Sequence, residues 1–241
     1  MATFEAQVEA LTSLAIDDTS TPTRDELSQF LKDGVIDVTN KWLSIRPEDT
    51  SKFMKVSSEQ TSNGSLDING AKIISVVRED GTNNQWRECR EISIGQQYVV
   101  TDITSLHYAS KFNPVYMVQD NGKISVFPTP GADPDSFKVY YVNNVPVDKS
   151  LSPLVYTHSD IGYFIDDKVY LVVIYAAIKT LEAKLSDSAA IEEDSELVQS
   201  IVPVLQVLQN DYNSAFLPDR QIEQMRAQMT QQQGQRWNYK K

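Results

Sequence analysis

The chain has 241 residues, with 22 Lys+Arg against 33 Asp+Glu and a formal net charge of −11. That balance argues against a sequence-reading nucleic-acid binder, which needs a cationic footprint, and against a surface made for anionic lipid. For 27.2 kDa, area scaling predicts that roughly 70% of the unfolded surface is buried, in one domain or one domain carrying an insert, without a disulfide or metal staple.

The first 45 residues read as two helices. Phe4, Val8, Leu11 and Leu14 recur at helical spacing and predict one buried face. Turn formers and a proline at Ile16–Pro22 break the pattern. In Thr23-Arg24-Asp25-Glu26 a hydroxyl is followed three residues later by a carboxylate, a capping box. Leu27, Phe30, Leu31, Val35, Val38 and Trp42 continue at helical spacing, and Gly34 lies among them. A glycine there costs up to about 1 kcal/mol against alanine, so close packing is its expected reason. Arg46-Pro47 ends the helix, because a residue before proline avoids the α region.

Residues 50–145 read as β structure. Asn69-Gly70, Asp80-Gly81 and Asn121-Gly122 suit the positive φ angles of tight hairpin turns. They separate short β-branched or aromatic runs: Leu66–Ile68, Lys72–Val77, Trp86–Ile92, Val115–Val118 and Lys123–Phe127. After Pro128-Thr129-Pro130-Gly131 comes Phe137–Val142, so the end of this region predicts a three-strand antiparallel meander. Lys123, Ser125 and Lys138 predict one solvated face.

Helical periodicity then returns. Val169–Leu185 is apolar nearly all round, which predicts a central helix contacted on several sides. A second helix is predicted over about 189–216, with Ile191, Leu197, Val198, Ile201, Val204, Leu205, Leu208 and Tyr212 inward. Pro203 is expected to kink it or force a boundary. From Asp219 to Lys241 the chain is Gln-rich and carries five basic against two acidic residues, a net +3. Met225, Met229 and Trp237 are spaced along it, too sparsely for a core, so order is expected on binding.

Motifs of chemistry are scarce. No stretch approaches 18 apolar residues, the densest being Tyr170–Ile178, and Met1 leads into an acidic amphipathic segment. Neither a membrane span nor a secretory signal is therefore expected, and the chain reads as soluble and made in the cytoplasm. Cys89 is the one cysteine and His107 and His158 the two histidines, without CxxC or HExxH spacing, so no zinc site is expected. Cys89 reads as a packed strand residue. With no phosphate loop, nucleophile elbow or calcium loop, the expectation is no cofactor, no metal and no enzyme. Asp17-Asp18 and Asp166-Asp167 would need a spatial convergence that spacing does not supply. Pro128–Gly131 reads as a rigid turn, and Trp86, Tyr140 and Tyr141 as core or cross-strand partners.

Three stretches together carry a resemblance. Thr23–Phe53, with Leu27, Leu31, Gly34, Val35 and Ile45-Arg46-Pro47-Glu48, is a capped helix running into an RPE turn. Tyr108–Tyr141 holds Asn113-Pro114 before Val115-Tyr116, then Val126-Phe127-Pro128-Thr129-Pro130 and Val139-Tyr140-Tyr141-Val142. Val169–Leu185 is the long apolar helix, followed by an acidic-started one. In that order they resemble the head–tail adaptor (connector, neck) proteins of tailed bacteriophages.

The resemblance implies an α+β fold: a helical bundle of two N-terminal and two long C-terminal helices, an inserted antiparallel β subdomain and an extended C-terminal tail. The bounds are 1–49, 50–150, 151–218 and 219–241. It implies a structural virion protein at the head–tail junction, a ring of typically twelve copies between portal and tail, with double-stranded DNA passing through. Its partners would be further copies of itself, the portal protein and a tail nozzle, stopper or other tail-side protein. Portal docking falls to Arg226, Arg236 and Trp237 in the tail. Glu182–Glu196 carries six acidic residues and one lysine. In a ring, Glu192, Glu193, Asp194 and Glu196 are expected to flank the channel, where like charge keeps the duplex from sticking; the plainer reading is a solvated helix start favoured by the macrodipole. The alternatives are a neck stopper or tail-completion protein, and a host- or carbohydrate-binding tail accessory.

Overall fold

The computed structural model describes residues 2–82, 85–119, 122–190 and 195–217, excepting the side chains of 188–190 and 195–197. The chain is α+β. It forms two compact units, one of Met1–Pro47 with Pro146–Lys241 and one of Glu48–Val145.

In the first unit, helix α1 (Phe4–Thr12) is capped by the Thr3 hydroxyl and ends at Ser13, whose φ of 57° is left-handed. Its buried residues are Phe4, Val8 and Thr12. Leu11 is exposed, which corrects the predicted face: the helix stops before Leu14 could extend it. Helix α2 (Arg24–Ile45) begins with the full capping box. The Thr23 hydroxyl accepts from the Glu26 amide, and the Glu26 carboxylate accepts from the Thr23 amide at 2.8 Å. Thr23→Ala is expected to lower stability by about 1 kcal/mol, read as a shift in the urea midpoint by far-UV circular dichroism; an unchanged midpoint would show that the cap contributes nothing. Leu27, Leu31, Val35, Val38 and Trp42 are buried as predicted.

Helix α4 (Val169–Ala190) is the central one, packing against α1, α2 and α5 (Ser195–Ser214). Leu171, Val172, Ala176, Ala177 and Leu181 have no exposed surface. Gly34 lies where α2 crosses α4: a Cβ there would stand 3.0 Å from Tyr175 Cδ1 and 3.3 Å from Val172 Cγ1. Helix α5 runs through Pro203 without a boundary; Ile191 and the side chain of Leu197 lie outside the described residues, and among the rest the buried face is narrower than predicted. Ile201, Leu208 and Tyr212 are buried, whereas Val204 and Val207 face solvent. Tyr212 anchors the helix, donating its hydroxyl to Asp37 beneath the Lys41 ammonium. Burial and then that hydrogen bond push its phenol pKa well up. A strap from 146 to 165 ties the first helices together, with His158 and Tyr156 carbonyls accepting from the Phe4 and Glu5 amides.

The second unit holds two sheets. The first has the antiparallel order β1 (Met54–Val56), β7 (Phe137–Val142), β2 (Ile73–Glu79), β3 (Trp86–Glu88). The second has the order β4 (Arg90–Glu91), β5 (Val115–Gln119), β6 (Lys123–Phe127), with β4 parallel to β5. The predicted meander is thus corrected: β5 and β6 form a hairpin, but β7 leaves it to pair with β2 and β1. Asn69 and Gly70 do take positive φ, 49° and 73°. Yet the segments they join do not pair with each other, since Asp67 bridges Lys123 and β2 pairs β7. The run Trp86–Ile92 is not one strand either; it changes sheets at Cys89, whose amide donates to the Val76 carbonyl at 2.7 Å.

Ile124, Val126 and Tyr116 of the second sheet share a core with Val76, Phe137 and Val139 of the first. The opposite side chains, Val115, Met117 and Phe127, pack with Ile92, Val100 and Ala109. The second sheet is therefore covered on both faces. This corrects the expected solvated face: Ser125 is buried and donates its hydroxyl to Gln119.

Candidate functional site

The segment that covers the second face of that sheet is built from its buried residues outward. Val100 and Ala109 are each 2% exposed, and the Ala109 amide donates to the Val100 carbonyl at 2.9 Å, closing the loop at its base. A 3₁₀ turn (Ile94–Gln96) leads into the short helix α3 (Gln97–Thr101). Beyond it the Asp102 carboxylate accepts from the Thr104 amide at 2.9 Å and the Thr104 hydroxyl at 2.8 Å. Those two bonds hold its pKa below the usual carboxylate value. Further bonds from the Ser105 and Tyr108 amides, to the Asp102 and Ser105 carbonyls, complete the turn. All of these bonds are made within the segment, in the manner of a compact surface loop.

What this loop presents is apolar. Leu106 is 102% exposed, Tyr98 and Ile103 78%, and Ile94 and Phe112 61%. Single exposed apolar residues need no explanation, but five in nineteen positions on one ordered loop make it the candidate interaction surface. Between Glu91 and Lys111, Asp102 is the one formal charge. Lys111 and Arg87 lie at the edge, over the Phe112 ring at 5.5 and 5.1 Å. Sequence reasoning missed this site. Its apolar residues follow neither a two-residue nor a 3.6-residue period, so no element claimed them; the available signal was apolar density without a face and nearly without charge.

The residues singled out from sequence fall elsewhere. Arg226, Arg236 and Trp237 lie outside the described residues, as do Glu192, Glu193, Asp194 and the side chain of Glu196. In the same acidic segment, Glu182 pairs with Lys179 at 2.8 Å and Asp187 with Lys184 at 3.5 Å. Cys89 is 4% exposed, and burial pushes its thiol up to about 12, so it is a packed residue and not a nucleophile. Beside it is an open depression of about 420 Å³ lined by Ile74, Ser75, Glu88, Arg90, Glu91 and Tyr116. Asp166 and Asp167 pair with Lys149 and Lys168, and Asp17 accepts from Thr19. Among the described residues, no group of three His, Cys, Asp or Glu side chains is placed to hold a metal ion, and no helix is long and apolar enough to cross a membrane.

The Pro128–Gly131 segment has a structural role. Arg78, with 3% of its side chain exposed, donates to the Pro128 and Thr129 carbonyls at 3.1 and 3.4 Å and to Asp135 at 3.1 Å. Next to it, Glu79 accepts from the Ser136 amide and hydroxyl, and Asp80 from Arg87. This network clamps the chain between β6 and β7 to the end of β2.

No protein-family model matches the chain, and a search of curated proteins found no match.

Proposed function

We propose that this chain is a structural protein of the tailed-bacteriophage virion, a head–tail adaptor. Its copies form a ring, typically of twelve, between portal and tail, and the DNA passes through. In this reading α1, α2, α4 and α5 form the bundle, the β unit is its insert, and the polar tail from Asp219 docks on the portal through Arg226, Arg236 and Trp237. The observation that carries the reading is the apolar, nearly uncharged loop on the β unit, which suits a protein whose work is binding and alignment. The order of the three resembling stretches supplies the setting. The carbohydrate-binding alternative wants aromatic rings along an exposed groove; the depression beside Cys89 offers only Tyr116, 8% exposed, but Tyr98 and Phe112 are exposed on the loop, so the portal measurement is what separates the two readings.

Native mass measurement of the full chain, alone and mixed with portal rings, tests this. Many copies on each portal ring are expected, with a monomer tolerated in isolation. A portal-bound particle holding one copy, or no binding, overturns the adaptor reading. Deleting Gln231–Lys241 is expected to leave the circular dichroism spectrum unchanged and to weaken capture by portal rings. Unchanged affinity would remove the docking role from Arg236 and Trp237.

A further inference from the structure

We propose that the Ile94–Phe112 loop of one copy docks on the outward face of α5, at Pro203, Val204 and Val207, of a second copy. The proposal rests on the ring reading only in that copies meet head to tail.

Three observations lead to it. The first is area. Taking ~200 Å² for a large side chain, Ile94, Tyr98, Ile103, Leu106 and Phe112 present roughly 750 Å² at their observed exposures. A stable interface takes about 800 Å² from each partner, so this one loop supplies most of one side.

The second is charge. A chain of net −11 repels its own copies wherever acidic surfaces meet. Contact between two copies is least opposed where both surfaces lack charge. The loop is one such surface, with Asp102 as its single formal charge and that carboxylate already bonded to Thr104. A second is on α5, where residues 197–210 carry no Asp, Glu, Lys or Arg at all.

The third is the outward surface of α5. Val207 is 58% exposed and Val204 39%, and Pro203 between Gln199 and Val207 is exposed with them. They lie at i, i+1 and i+4, a short apolar stripe flanking the buried face of Ile201, Leu208 and Tyr212. Pro203 has no N–H to give the Gln199 carbonyl. The stripe and the loop are different surfaces, so in the ring reading the contact between them is heterologous. Such contacts repeat from copy to copy and close into a ring when the rotation allows.

The experiment places the photo-reactive residue p-benzoylphenylalanine at Tyr98 in the full chain. Equal parts of ¹⁵N-labelled and unlabelled protein are irradiated, alone at high concentration and on portal rings, and linked peptides are identified by mass. The expected result is a cross-link from position 98 to the α5 peptide around Val204–Val207, with mixed isotopes showing that it joins two copies. Leu106→Asp and Val207→Asp, both at exposed positions and checked by circular dichroism, are each expected to cut its yield about tenfold. Cross-links from position 98 to the portal protein, to another part of a second copy, or to nothing under either condition overturn the proposal. If many copies still assemble on the portal, the adaptor reading survives that failure. Conversely, a 98-to-α5 cross-link in a chain that ignores portals sustains the docking while the adaptor reading falls.

Discussion

Replacing Arg78 by alanine is expected to destabilise the β unit by about 1–3 kcal/mol. The guanidinium is buried at the end of β2, and its hydrogens go to the carbonyls of Glu79, Pro128 and Thr129 and to Asp135. Removing it leaves backbone carbonyls without their donor and opens a void where the side chain stood. Arg78→Lys should recover only part of the loss, because one ammonium does not reproduce a planar fork that reaches several carbonyls. Hydrogen exchange read at 73–79 and 137–142 localises the effect. A loss below 1 kcal/mol would mean that the apolar core alone holds this end of the sheet.

The neighbouring Asp80–Arg87 pair adds a pH dependence. Burial raises the Asp80 pKa, but hydrogen bonds from Arg87 and Thr82 outweigh this and hold it below the usual value. A carboxylate lowered in the folded state stabilises above its unfolded pKa of about 3.9, and the contribution is lost as pH falls through the folded value. The pair therefore weakens only in acid, below about pH 4.

The second large effect is expected at Gly34. A leucine there has to displace the half-buried Tyr175 ring and the fully buried Val172 at the crossing of α2 and α4. Overpacking of this kind costs about 1–3 kcal/mol, and the upper end is expected because Tyr175 is itself held near Tyr212 at 5.9 Å. Gly34→Ala is the informative comparison. It gains up to about 1 kcal/mol of helix propensity but brings a Cβ to 3.0 Å from the ring, so it should come out near neutral or mildly unfavourable. Thermal unfolding of both variants against the parent measures the pair. If Gly34→Leu were as stable as the parent, the helices would be free to move apart and the close crossing would not be needed.

Local signals were legible wherever one residue decides its own neighbourhood. Thr23 and Glu26 mark the start of α2 because their bonds are made within four residues, and Arg46-Pro47 marks its end because the proline ring clashes locally. The central place of α4 could be read from an apolar surface that needs partners all round. Gly34 could be flagged as a close approach, although only the crossing names Tyr175 as the neighbour.

What the tertiary structure alone decided is pairing over distance. The strand at Phe137–Val142 has the same alternation whether it continues a hairpin or crosses to another sheet. Its choice of β2 and β1 depends on side chains more than fifty residues away, among them Arg78 and Glu79. The same holds for Trp86–Ile92, where one extended run serves two sheets because Cys89 turns between them. The apolar loop was hidden for the same reason: Val100 and Ala109 face inward and Leu106 and Tyr98 outward, and that division exists only once Val115, Met117 and Phe127 provide a surface to cover. Short-range sterics and hydrogen bonds are written in neighbouring letters, whereas burial belongs to whichever surfaces the folded chain brings together.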